Sequence, residues 1–212
     1  MNDSEATTRA RRRFLRVLAG PAPSPSHLTR FVMYERLRGS IPRVDHVLSV
    51  SRSEPLADAI GLRPGKIISA DYPEYDLLSL PYDDGVFDAV VSDQVLEHIA
   101  GDPGQAVQES LRVVRPGGYI VHTTCFMNPG HEQPDDFWRF SPEALELLCR
   151  TAGAEPIQCE GWGNRWAVLA IALGLRTLRV PRLAWHPLRL LATANDPAWP
   201  IVTWLVARKA YP

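Results

Sequence analysis

The chain has 212 residues, 45% hydrophobic and 22% charged, enough for one well-buried domain and short for two. Lys and Arg number 23 against 24 Asp and Glu, and the net charge of −1 excludes the global basic field of a nucleic-acid binder. Cys125, Cys149 and Cys159 are odd in number and lack CxxC spacing, which excludes a disulfide framework and a cysteine zinc site and fits a reducing cytoplasm.

Residues 1–26 read as a flexible basic arm. "TRARRRFLRVLAG" carries no secretory apolar region, and "PAPSPS" makes a linker. Such an arm suits a frayed helix in solvent or a contact with a membrane surface or other anionic partner. Residues 27–212 read as a single domain. "HLTRFVMYERLRG" predicts a short helix and "HVLSV" (46–50) a β-branched strand. "SEPLADAIG" is a helix with Ser53 at its N-cap and Gly61 just past its end, and "KIISA" (66–70) is a second strand.

Ala89 to Val91 form a dense apolar run, as in a strand buried on both faces. "GDPGQAVQESLRVV" opens a helix with Asp102 at N-cap, Pro103 at N1 and Gln105 at N3, a capping-box arrangement, and "RPGG" stops it. "YIVHTT" (119–124) is a further strand. "SPEALELLCRTAG" repeats the helix grammar from Ser141 to Gly153, with Leu145, Leu148, Cys149 and Ala152 on one face. Strands and helices alternating through short links predict an α/β fold: a Rossmann-like, doubly wound, mostly parallel sheet with helices on both faces. Ligands in such sheets bind at the carboxyl ends of the strands.

"LPYDDGVFDAVVSDQVLEHI" followed by "ESLRVVRPGGYIVHTT" resembles the class I S-adenosylmethionine (SAM)-dependent methyltransferases, in their small-molecule branch. "HEQPDDFWRFSPEAL" is similar to a segment of uncharacterised methyltransferase-like proteins, some associated with glycan pathways. The resemblance implies that fold, with one helix missing where Asp76 follows Asp71 so closely. It also implies SAM as cofactor and methyl transfer to a hydroxyl or similar nucleophile of a small-molecule or glycan-like acceptor. The alternative is a methyltransferase-fold protein without catalysis that serves as a binding or scaffold partner. A nicotinamide dehydrogenase is a weaker reading because GxGxxG is absent.

Where the family carries acid-x-Gly-x-Gly, this chain has Ser49, Val50, Ser51, Arg52 and Ser53. Ser51, Arg52 and Ser53 would receive the methionine tail at the start of a helix, or else form a capped turn that binds nothing. Asp71 stands where an acid reaches a ribose diol, with a turn aspartate as the bland alternative. By resemblance Asp76 and Leu77 flank the adenine, and Ser92, Asp93 and Gln94 meet the methionine part or the acceptor. Glu97 and His98 are either a structural junction or acceptor contacts.

Methyl transfer from a sulfonium is an in-line displacement, needing alignment and a base when the nucleophile is a hydroxyl. His131 is the candidate base, and Asp135 and Asp136 either orient it or bind acceptor hydroxyls. Trp138 and Arg139 either contact a sugar-like or acidic acceptor or staple the following helix. No metal is expected, because no third ligand of usable spacing stands near His131. Residues 161–200 read as an apolar insertion or lid before a final strand at 201–207. "NRWAVLAIALGL" falls short of the roughly 20 residues that cross a bilayer, and suits a dimer or peripheral membrane contact.

Overall fold

The computed structural model describes residues 23–131 and 135–211. In chain order the elements are β1 (Pro23–His27), α1 (Leu28–Leu37), β2 (His46–Val50), α2 (Glu54–Ala59), β3 (Lys66–Ala70), β4 (Phe87–Asp93), a 3-10 turn at Leu96–His98, α3 (Pro103–Val113), β5 (Val114–Cys125), α4 (Pro142–Thr151), β6 (Ala154–Trp162), α5 (Arg165–Ala172), β7 (Arg179–Pro181), α6 (Pro187–Thr193) and β8 (Val202–Lys209).

Six strands form one sheet in the order β3-β2-β4-β5-β8-β6. β3, β2, β4 and β5 are parallel, and β8 enters antiparallel between β5 and β6. The period-two alternation of the strands divides the core. Val47, Ala89, Val91, Val121, Trp204 and Val206 pack under α1, α2, α5 and α6 on one face. Leu48, Val50, Val90, Ile120 and Leu205 pack with Ala106, Val107 and Leu111 of α3 and Leu145 and Cys149 of α4 on the other.

Several local expectations change. Pro23–His27, the end of the stretch read as a flexible linker, pairs antiparallel with β7 and ties the front of the chain to the 161–200 region; the basic residues before it lie outside the described residues. Asp102 does cap α3, accepting the Gly104 N–H at 2.8 Å, but Gln105 does not return the bond. Its amide donates instead to the Leu78 carbonyl at 3.0 Å, fastening α3 to the loop after β3. "RPGG" lies inside β5, where a Cβ on Gly118 would stand 2.5 Å from Val114 Cγ1 and 2.6 Å from the Asp88 carbonyl oxygen.

Ser141 caps α4 as its sequence predicts, accepting the Ala144 N–H at 3.2 Å. No helix intervenes between β3 and β4; an Asp76–Ser79 bridge and turns fill the interval. β6 has no clear sequence signal because Pro156 interrupts it, as an edge strand allows. The 161–200 region, read as an insertion, divides: Gly161 and Trp162 finish β6, and α5, β7 and α6 follow. Among the described residues no helix is long and apolar enough to cross a membrane.

Candidate functional site

A cavity of about 450 Å³ opens at the carboxyl ends of β2, β3 and β4, where parallel sheets place their ligands. Ser51 and Arg52 line it from the end of β2, and Asp71, Tyr72, Tyr75, Asp76, Leu77 and Leu78 from the segment after β3. Gln94, Val95, His98, Ile99 and Ala100 follow β4, and Asp135 and Phe137 come from the loop after β5.

The turn after β2 keeps the backbone shape that glycine favours without any glycine. Ser51 and Arg52 hold φ of +51° and +61°, the left-handed region, and Gln94 holds +61°. Hydrogen bonds hold that turn. Ser51 N–H donates to the Ala70 carbonyl at 2.9 Å, and Arg52 N–H donates to Asp71 Oδ1 at 2.9 Å. The Arg52 guanidinium is 3.8 Å from Asp71 Oδ2 and almost wholly in solvent, so it does not close off the carboxylate. Asp76 accepts the Leu78 N–H at 2.9 Å, a turn that presents Leu77 and Leu78 as an apolar wall.

Three residues expected at the cofactor face inward instead. Ser53 is fully buried and makes no helix-cap bond; its hydroxyl donates to the Val50 carbonyl and accepts the Asp93 N–H at 2.7 Å. Ser92 is equally buried, with its Oγ 2.6 Å from His122 Nδ1. Asp93 accepts from Tyr34 (2.6 Å) and Thr123 (2.6 Å) and pairs with Arg30 at 3.0 Å. Within a strand, alternate side chains point into the two packed layers, so the last strand residues cannot reach a ligand beyond the sheet edge. Burial lowers His122 to about 4 and, with the Asp93 carboxylate beside it, pushes the Tyr34 phenol far above its ordinary value.

A second polar group sits beside the cavity. His131 does not line the wall; its ring centroid is 5.0 Å from that of His98, which does. The partner of His131 is Asp136, not Asp135: Asp136 Oδ2 receives the His131 backbone N–H at 2.8 Å and faces Nδ1 at 3.2 Å. Asp135 is exposed and offers its carbonyl to His98 Nδ1. Arg139 grips both oxygens of Asp136 and holds that carboxyl far below the usual range, so the bland reading of Arg139 is the one realised.

Glu97 joins this group from the 3-10 turn. Its Oε2 accepts from Thr124 at 2.8 Å, its Oε1 is unpartnered, and burial pushes its carboxyl up. Burial likewise lowers the His131 imidazole, against the opposing pull of Asp136. Trp138 donates to the Ile99 carbonyl at 2.9 Å and Phe140 is buried, so this stretch fastens the loop after β5 to the turn after β4.

Residues 40–122 match a family model described as a methyltransferase domain. Over that span the chain is similar to methyltransferase domains. It is 35% identical over 120 residues to an uncharacterized methyltransferase of Mycolicibacterium gilvum, covering 50% of this chain and 47% of the relative. It is 31% identical over 124 residues to the ubiquinone biosynthesis O-methyltransferase of Ralstonia nicotianae, covering 50% and 51%. The matches span between 21% and 53% of the length of its curated relatives. The fold matches the phosphoethanolamine N-methyltransferase 2 of Haemonchus contortus solved with S-adenosyl-L-methionine, at a TM-score of 0.52 and 12% identity over 85% of this chain and 52% of that one.

The cavity has the size and lining of a site for a small nucleoside-bearing ligand. The cavity falls in the usual range for small-molecule sites, about 300–1,000 Å³. It combines a carboxylate at the end of β3, an apolar wall at Leu77 and Leu78, and the buried Gln94 amide, whose Nε2 has no partner. Tyr72, Tyr75, Val95, Ile99 and Phe137 also line it and were not singled out in the sequence. The aromatics of "DYPEYD" directly after the second strand were the available signal.

Proposed function

We propose that the chain is a SAM-dependent methyltransferase acting on a hydroxyl of a small-molecule acceptor. The observation that carries this reading is the strand-end cavity, with Asp71 beside the left-handed Ser51–Arg52 turn. Asp71 accepts the ribose hydroxyls, Leu77 and Leu78 cover the adenine, and the turn with Arg52 and Gln94 takes the methionine end. When bound, SAM supplies a methyl on a positive sulfur, ready for in-line displacement.

Removal of the acceptor proton falls to the group formed by Glu97, His98 and His131, with His131 backed by Asp136. Two things favour a hydroxyl acceptor: this basic group, and the O-methyltransferase named among the relatives. Exposed Tyr72 and Phe137 at the cavity offer flat apolar surfaces to a ring or a sugar. The three free thiols suit a cytoplasmic setting.

Calorimetry with SAM and S-adenosylhomocysteine tests the reading. The wild type is expected to bind both, and Asp71→Ala to bind each at least about tenfold more weakly, the value of one charge-assisted hydrogen bond. Absence of binding by the wild type leaves the non-catalytic scaffold as the function.

A further partner reading has its own support. Trp166 and Leu169 on α5 and Leu173 just past its end are exposed, with Leu183, Trp185 and Leu190 exposed beyond them. Residues 161–195 carry Arg165, Arg176, Arg179, Arg182 and Arg189 and no acid. Apolar side chains with cations fit an anionic lipid surface. Cosedimentation with phosphatidylglycerol vesicles, but not with phosphatidylcholine, is expected, and is weakened by Trp166→Ala.

A further inference from the structure

Three side chains beside the cavity bring potential ligand atoms toward one another. Glu97 is fully buried, and its Oε1 accepts no hydrogen bond. His131 directs Nδ1 at the Asp136 carboxylate, and His98 directs Nδ1 at the Asp135 carbonyl. A carboxylate held by arginine and a carbonyl can only accept, so each ring in its neutral form carries its proton on Nδ1 and has Nε2 free to accept. His131 Nε2 lies 3.8 Å from Glu97 Oε1, and one donor atom from each of Glu97, His98 and His131 lies within 4.8 Å of the other two.

An imidazole anchored at one nitrogen by a carboxylate or a carbonyl, with the other nitrogen bare, is how histidine is presented to a metal. Here two such rings converge with a carboxylate oxygen. Metal bonds of about 2.0–2.2 Å set tetrahedral ligand atoms about 3.4 Å apart, so small ring rotations would close the set. Charge points the same way. Asp93 is answered by Arg30 and Asp136 by Arg139, whereas among the described residues Glu97 meets only His131 at ion-pair distance.

We propose that Glu97, His98 and His131 bind one divalent transition-metal cation, of the zinc, iron or manganese kind that mixed imidazole and carboxylate ligands favour. His98, the one of the three that lines the cavity, sets the site beside it. The consequence for catalysis rests on the methyltransferase reading; cation binding does not. With the cation bound, these three side chains would hold it and would not themselves take the proton: an acceptor hydroxyl in an open position would lose its proton to water near neutral pH, and its oxygen would then form the O–CH3 bond as the S–CH3 bond of the cofactor breaks.

Cobalt(II) titration of the untagged, chelator-stripped chain, followed by visible absorption with zinc competition, tests the site. One equivalent is expected in the wild type. Glu97→Gln and His131→Ala should each weaken binding at least about tenfold, while His186→Ala, away from the cluster, leaves it unchanged. S-adenosylhomocysteine affinity serves as the check on folding. Glu97→Gln keeps the size of the side chain, so it decides the matter if His131→Ala fails to fold. Cobalt bound no more tightly by the wild type than by Glu97→Gln overturns the site. Intact cobalt binding without affinity for S-adenosylhomocysteine would remove the methyltransferase reading and leave the cation site standing.

Discussion

Ser51, Arg52 and Asp71 form a rim that faces the cavity, while Ser53, Ser92 and Asp93, from the same sheet edge, form a layer beneath it that faces the core. Arg52 apart, both sets are serines and aspartates, and their chemistry alone does not tell them apart. Asp71 is 42% exposed and Asp93 11%. The rim presents groups to the cavity. The inner layer locks β2 to β4 and β4 to α1, which keeps the rim in place.

That division breaks most visibly at Asp93. Asp93→Asn should cost about 3–5 kcal/mol in urea unfolding, because Arg30 loses its buried counter-charge, and leave S-adenosylhomocysteine affinity nearly unchanged in the protein that remains folded. The reverse pattern would move Asp93 to the rim.

Acid tests the inner layer next. His122 is neutral in the fold, with a pKa lowered to about 4 from 6.5. Its unfolded form takes up a proton first as pH falls, so stability is full above about 6.5 and drains toward pH 4. At about 1.4 kcal/mol per unit the loss approaches about 3 kcal/mol. His27, lowered similarly, adds to the same trend. Melting temperatures across that window should fall, and His122→Leu should flatten the slope.

Ser53→Ala removes the partner of the Asp93 N–H and of the Val50 carbonyl, a loss of about 1–3 kcal/mol readable in the same unfolding assay. The smallest effect belongs to the rim and has the opposite sign. Ser51→Gly relieves a left-handed residue and should stabilise by about 1 kcal/mol with cofactor affinity retained. Destabilisation would mean that the serine hydroxyl holds the turn.

The sheet was legible because strand alternation and helix caps are local signals. Asp71 at the cavity was legible for the same reason, because it follows a strand end, whereas Asp76 and Leu77 came from the family resemblance. The inward turn of Ser53, Ser92 and Asp93 was not, because it depends on Tyr34, Thr123 and His122, brought in by other elements. Asp136 and Asp135 are neighbours in the chain, and only the Arg139 clamp and the position of His131 distinguish them. Glu97 and His98 stood open between junction and contact. Their approach to His131 is a tertiary event with no sequence periodicity behind it.

The placement of β8 also bears on synthesis. Val202–Lys209 is made after both of its neighbours, yet it lies between them. Until it emerges, β5 shows a bare hydrogen-bonding edge that includes Ile120 to Cys125, the kind of edge that other nascent chains can pair with. Delayed emergence of that strand would therefore show as aggregation during translation, before any effect on the folded protein.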